Sequence, residues 1–290
     1  MGVFGRKVRM RFESLDPDPG DFFPYVVPDN MNIGFTVERT LDKEPNTLNA
    51  TIYNLSAETR EELQKQASLI VTLEAGYETN FHSIFVGDVR IVRQRREPPL
   101  LATDIEAGDG HKGSKIWARK FFAKGTSVDS VFRYLASVSG VGAGNIERAF
   151  SIREANGLPN RLENGISIRG YAHEELAALA KSRGIEWSVQ DNEIQILEYG
   201  KGKTGVPMVT VSTGASAEYP DPTGLIGYPT VDNKGILVFN HRLIPNVFPG
   251  SLLNVQTEFV KGYYRVLRAL YSGSLWGSDF NIEVEGEVVK

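Results

Sequence analysis

The chain contains no cysteine. Disulfide staples, thiolate metal sites and a cysteine nucleophile are therefore excluded, while the redox compartment stays open. Histidine is scarce too: His82, His111, His173 and His241 lie far apart and never form an H-x-x-x-H pair. They read as surface or interface residues, and no metal site is expected. No stretch approaches the ~20 apolar residues of a spanning helix. The start, Met1 to Phe12, is charged where a secretion signal needs an apolar core. A soluble protein made in the cytoplasm, with no membrane partner, is the expectation. Met1-Gly2 opens like a myristoylation signal, but Arg6 stands where Ser or Thr is required. An excess of positive charge is also missing: the net charge is -4 and the pI about 5.7. Such a chain has no overall field for neutralising phosphates, so specific nucleic-acid binding is not expected.

Catalytic motifs are equally sparse. There is no G-x-S-x-G elbow for a hydrolase nucleophile. Gly202-Lys-Thr204 ends like a phosphate loop, yet Leu197 occupies the place of its first glycine, and Gly205-Val-Pro207 prevents the following helix. Gly140-Val-Gly-Ala-Gly144 follows a helical stretch instead of a strand, which reads as a flexible cap and not a dinucleotide turn. In Asp16-Pro-Asp-Pro-Gly-Asp21 a calcium loop would need Glu at its twelfth position, where Val27 stands. The 36 acidic residues permit many carboxylate pairs, none in a distinctive setting. The reading is a non-enzyme, with no catalytic, cofactor-binding or metal-binding residue and no cofactor.

What is present is β pattern at both ends. With 290 residues and 41% of them hydrophobic, the chain is long enough for two or three domains with real cores. Lys7 to Phe12, Ile33 to Val37, Leu48 to Tyr53 and Ile70 to Glu74 alternate with period two, each burying one face of a sheet. Ser56 followed by strong helix formers predicts a short helix over 57–66 between two of these strands. The proline-rich acidic stretch from Asp16 to Pro28 reads as a surface loop.

The middle of the chain carries an internal echo. Lys124 to Gly140 and Arg169 to Gly184 each run from a Gly-led entry through a helix to a glycine able to take the left-handed cap. Ile185 to Val189, a turn at Gln190-Asp-Asn-Glu193, and Ile194 to Leu197 then read as a hairpin. The fold class is mainly β with an α+β insert: a first β-barrel-like domain over 1–107, an insert with two similar helices over 108–199, and a second β-barrel-like domain over 200–290. Gly200 to Gly205 reads as the linker into the last of these.

From Thr223 onward, short β runs alternate with Pro and Gly. Gly227, Pro229, Pro245, Pro249 and Gly250 are expected to fix the turns of an antiparallel meander. Of its aromatics (Phe239, Phe248, Phe259, Tyr263, Tyr264, Tyr271, Trp276, Phe280), most are expected in a barrel core and some at an oligomer interface. One local positive field stands out: Arg90, Arg93, Arg95 and Arg96, followed by Lys112, Lys115, Arg119 and Lys120. It reads first as a solvated strand end and loop, and second as a site for an anionic partner.

Several segments, taken in order, carry a resemblance: Pro45 to Ser56, Leu73-Glu-Ala-Gly-Tyr77, Ile84-Phe-Val-Gly-Asp88, Thr103 to Gly110, and Gly224 to Pro229. Together they resemble the baseplate hub proteins of tailed bacteriophages. That resemblance implies a structural virion protein of the tail baseplate. It implies a homotrimer of two related β-barrel-like domains per subunit, a peripheral insert, and partners in the central spike, the tail tube or distal tail protein and the tape-measure protein. Contractile injection devices outside phages share the same part. The alternative is a cell-wall module that binds or cleaves peptidoglycan, since the paired helices and hairpin of the insert loosely echo a wall-binding motif.

Overall fold

The computed structural model describes residues 5–15, 22–42, 45–66, 68–109, 116–203, 208–212 and 224–289. They form two compact units. The first joins Met1–Thr40, Asn46–Gly108 and Gly202–Lys290; the second joins Leu41–Pro45 and Asp109–Lys201.

The chain enters the first unit through β1 (Arg6–Ser14), the short β2 (Tyr25–Val26), β3 (Ile33–Thr40) and β4 (Thr47–Tyr53). Alternation places Val8, Met10 and Phe12 of β1 and Ile33, Phe35 and Val37 of β3 on the buried face. Helix α1 (Ala57–Lys65) begins where Ser56 accepts a hydrogen bond from the Thr59 amide at 3.1 Å. Glu58 in its first turn and Lys65 in its last suit the helix dipole, and Leu63 anchors it to the core. Then follow β5 (Leu69–Tyr77), the 18-residue β6 (Asn80–Glu97) and β7 (Leu100–Gly108).

The second unit is an α+β insert. Strand β8 (Trp117–Phe122) leads to helices α2 (Val128–Val138) and α3 (Ile146–Ala155), then β9 (Ile166–Tyr171), α4 (Ala172–Ser182), β10 (Ile185–Gln190) and β11 (Glu193–Glu198). β8 and β9 pair as one ribbon, and β10 and β11 as another. Val131, Phe132 and Leu135 of α2, Phe150 of α3, Leu176 and Leu179 of α4, and Trp187 and Ile194 of the hairpin share a second apolar core. The two echoed helices are α2 and α4, and Gly140 and Gly184 after them take φ of 68° and 63°, the left-handed conformation that glycine adopts without strain. The hairpin turns on Asp191 and Asn192, both with positive φ, as its turn type requires.

The chain returns to the first unit through β12 (Val209–Ser212), β13 (Leu225–Val231), β14 (Ile236–Arg242), β15 (Leu252–Gln256), β16 (Lys261–Ser274) and β17 (Phe280–Val288). Residues 1–107 and 200–290, read from the sequence as two domains, here contribute to one sheet with the path β13-β14-β17-β16-β3-β4-β7-β6-β5-β1-β2. The seam is the antiparallel pairing of β16 with β3, running from Arg268↔Thr40 to Ser274↔Gly34. Behind it a single apolar cluster runs from Met10 and Leu73 to Tyr271 and Ile282. Pairing across a seam joins residues more than two hundred positions apart, so the pattern of either strand alone does not disclose it.

Each half of this unit holds one long strand that changes partners at an irregularity. β6 pairs with β5 up to Asp88 and with β7 from Asp88 onward, its register shifting between Val89 and Ile91. β16 pairs with β15 through Lys261–Arg265 and with β3 from Arg268, its register shifting between Val266 and Arg268. A bulge bends a strand, and each of these lies where the strand exchanges one neighbour for another.

Candidate assembly surface

Beyond Asp88, β6 has β7 on one side and, among the described residues, no strand on the other. Its N–H and C=O groups there form an open edge. This is where the basic cluster lies. Arg93 bonds Glu106 at 3.1 Å, and Arg95 bonds both Asp104 and Glu97 at 3.1 Å. Thr51 of β4 donates to Asp104 at 2.7 Å. The hydrogen bonds from Arg95 and Thr51 outweigh partial burial and hold the Asp104 carboxyl below its ordinary 3.8. Arg90 lies across Gly108, where any side chain would collide with the guanidinium.

Glu106 and Asp104 across the strands, and Glu97 on β6 itself, therefore answer the charges of Arg93 and Arg95. The pairs are exposed and fix register more than they stabilise. Beside them an open groove of about 380 Å³ runs across β3, β4, β7 and β6, lined by Phe35, Asn49, Thr51, Arg93, Asp104 and Glu106 among others.

One end of the sheet path is β13, whose outer side also has no strand partner among the described residues. Gly227, with φ of 75°, and Pro229 fall inside this strand, where its register with β14 shifts between Ile226 and Thr230. They form a bulge at an edge, the position in a sheet that tolerates proline. Pro245 lies in a turn with Asn246, and Pro249 and Gly250 in the turn before β15, with Gly250 at φ of 86°. Exposed apolar groups gather near the bulge, where Tyr228 and Phe259 pack edge to face at 5.3 Å.

Between the edges, ion pairs tie the seam together. Arg268 of β16 reaches Glu38 of β3 at 2.6 Å, and Glu285 and Glu283 of β17 at 2.8 and 3.1 Å. Burial works against its charge, yet the hydrogen bonds it donates to Glu38 and Glu285 raise its pKa. Arg265, buried in the same strand, is bonded to Glu287.

The meander aromatics divide between core and surface. Phe239, Tyr264, Tyr271 and Phe280 are buried, Phe248 is half-buried, and Phe259, Tyr263 and Trp276 face solvent. The Tyr271 hydroxyl donates to the Val247 carbonyl. Of the histidines, His82 is exposed, His173 packs on the edge of Trp187 at 4.8 Å, and His241 accompanies the Arg242 carbonyl at 2.7 Å. His111, Lys112 and Lys115, the residues 16–21 of the acidic loop and Thr204-Gly205 of the linker lie outside the described residues. No group of three His, Asp or Glu positioned to hold a metal occurs among the described residues. None of the described helices is long and apolar enough to cross a membrane.

No protein-family model and no curated protein matches this chain. Solved structures do. The 43 kDa tail protein of prophage MuSo2 from Shewanella oneidensis superposes with a TM-score of 0.59 at 12% identity, over 97% of this chain and 96% of that one. The chain has the fold of phage tail proteins. A tail protein from Neisseria meningitidis MC58 gives a TM-score of 0.56 at 11% identity, over 98% and 96% of the two chains. The E. coli c3393 protein, described as a component of the type VI secretion system similar to the T4 tail proteins gp27 and gp5, gives 0.53 at 7% identity over 89% and 74%. The phage tail fold thus spans both β regions and the insert, the order in which the sequence presents them.

Proposed function

We propose that this chain is a structural tail protein: the hub of a phage baseplate or of a related injection device, assembled as a homotrimer that joins the tail tube to the central spike. The observation that carries this reading is the end-to-end superposition on two tail proteins, with 96% or more of every chain covered.

The two halves of the first unit, each organised around a long strand that changes partners, are the related lobes of such a subunit. Three subunits with two lobes each would present six similar surfaces to a sixfold tube and three to a spike. The open edges of β6 and β13 support the same reading, because a closed ring covers edges that would otherwise template aggregation. Function in this account resides in surfaces, with no catalytic step. The five turn and bulge residues, Gly227, Pro229, Pro245, Pro249 and Gly250, act by shaping the meander that carries one of those edges.

Co-expression with the spike and tail-tube proteins of the same tail tests the reading. A complex holding both, retained through size exclusion, is the expected result. Failure to retain either protein would reject the joining role.

A further inference from the structure

In the insert, β8 and β9 form a two-stranded ribbon whose inner face, with Ala118, Phe122 and Ile168, packs into the core. Its outer face carries three cross-strand pairs: Trp117↔Tyr171, Arg119↔Arg169 and Phe121↔Ser167. All six residues are exposed, Trp117 by 56% and Phe121 by 67%. The Trp117 and Tyr171 rings meet edge to face at 5.4 Å. Gly165 leaves room for the Phe121 ring, which a side chain there would strike at 2.9 Å.

The central pair is electrostatically unfavourable. Directly opposed residues on one face of an antiparallel pair stand about 5 Å apart at Cβ, and like charges there destabilise the ribbon. Among the described residues neither guanidinium has an ion pair, hydrogen bond or ring partner. The contrast with neighbouring cations is sharp: Lys120 sits over the Phe122 and Tyr134 rings, and Arg133 pairs with Asp129 and Glu147. Glu175 accepts from the Arg169 backbone amide at 3.2 Å, not from its guanidinium. Two opposed arginines, bracketed by exposed aromatics, have the composition of a protein-binding hot spot.

We propose that this ribbon face docks an acidic segment of a partner protein, whose carboxylates bridge Arg119 and Arg169 while its apolar groups lie on Trp117 and Phe121. Charge complementarity selects the partner. A carboxylate between two forked guanidinium groups removes their repulsion and accepts charge-assisted hydrogen bonds from both. A nucleic acid is the poorer occupant, because tight phosphate tracking needs several cations and this face has two. The inference does not depend on the trimeric hub reading, since it concerns the insert alone.

Fluorescein-labelled poly-L-glutamate, titrated with the intact protein at low salt and followed by anisotropy, tests it. Binding should fall at least about tenfold in the Arg119→Ala/Arg169→Ala double variant, the scale of lost hydrogen bonds to charged groups. It should also weaken in Trp117→Ala and stay unchanged in Lys120→Ala. The Arg119→Thr variant should lose binding while its melting temperature holds or rises, because a like-charge pair is relieved. A residue that merely supports the fold would lower both. No binding of poly-L-glutamate, equal binding by the double variant, an equal loss in Lys120→Ala, or tighter binding of oligothymidylate or isolated peptidoglycan would overturn the proposal.

Discussion

Replacing Asn160 by alanine should destabilise the insert more than an exposed asparagine would, because this residue caps a helix from a distance. Ser127 stands at the N-cap of α2, but its hydroxyl bonds Ser130 at 2.6 Å and caps no backbone amide. Asn160 supplies the cap: its carbonyl accepts from the Val128 amide at 3.0 Å and its Oδ1 from the Asp129 amide at 3.2 Å. Its Nδ2 returns a hydrogen bond to the Asp129 carboxylate at 3.0 Å. Alanine keeps the first of these and removes the other two. Loss of a side-chain cap costs about 1 kcal/mol. The bond to the carboxylate adds roughly 1 kcal/mol more, at the low end for charged groups because Arg133 still neutralises Asp129.

A total near 2 kcal/mol should appear as a lower urea midpoint in the far-ultraviolet helix signal. Three of the four helices among the described residues, and hence most of that signal, lie in the insert. In a double-mutant cycle with Asp129→Ala, a coupling of about 1 kcal/mol is expected, since the two side chains are in contact. A loss below about 0.5 kcal/mol, the ordinary range for surface substitutions, would refute the capping argument.

Three further outcomes follow from the same reasoning. Gly144→Ala should destabilise the insert by more than about 2 kcal/mol in thermal melts: φ is +51°, and the new Cβ would stand 2.0 Å from the Ile194 carbonyl oxygen. A wild-type melting temperature would contradict the close approach. Tyr271→Phe should cost the first unit about 1–2 kcal/mol in urea, because the buried Val247 carbonyl loses its donor; a neutral effect would mean the bond adds nothing. At acid pH the carboxyls of Asp104 and Asp129 matter. For Asp129, burial acts upward but is outweighed by hydrogen bonds from Ser127 and Asn160 and by Arg133, and both carboxyls stay below 3.8. A depressed carboxyl contributes stability that is present above the unfolded value and lost as pH falls through the folded one. The melting temperature should therefore drop below about pH 4, less steeply in an Asp104→Asn/Asp129→Asn variant, and identical slopes would remove the assignment.

Much of the fold was legible because period-two alternation and cap chemistry are local. β1, β3, β4 and β5, helix α1 with Ser56, and the Asp191-Asn192 hairpin all follow from residues adjacent in sequence. Helix α3 was missed because its inward positions, Ile146, Phe150 and Arg153, end on an arginine. Arg153 is buried by donating to the Arg183 carbonyl at 2.8 Å and to Glu198 at 3.3 Å, partners that only the fold brings near. The β8–β9 ribbon and the merging of both β regions into one sheet share that origin, since each depends on long-range pairing. Gly227 and Pro229 sit in a bulge of the local β13–β14 hairpin, where glycine and proline read from the sequence as the turn itself. The basic cluster was visible as charge, but its neutralisation by Glu106 and Asp104 depends on the β6–β7 register. The opposed arginines of the insert could have been found only by aligning Arg119 with Arg169, fifty residues apart.

The central claim is a closed trimer, and the absolute mass of the purified protein by light scattering across a concentration series tests it most directly. The account predicts three times the subunit mass of 32.1 kDa, independent of dilution over the measured range. A mass that stays at one subunit at every concentration would contradict it.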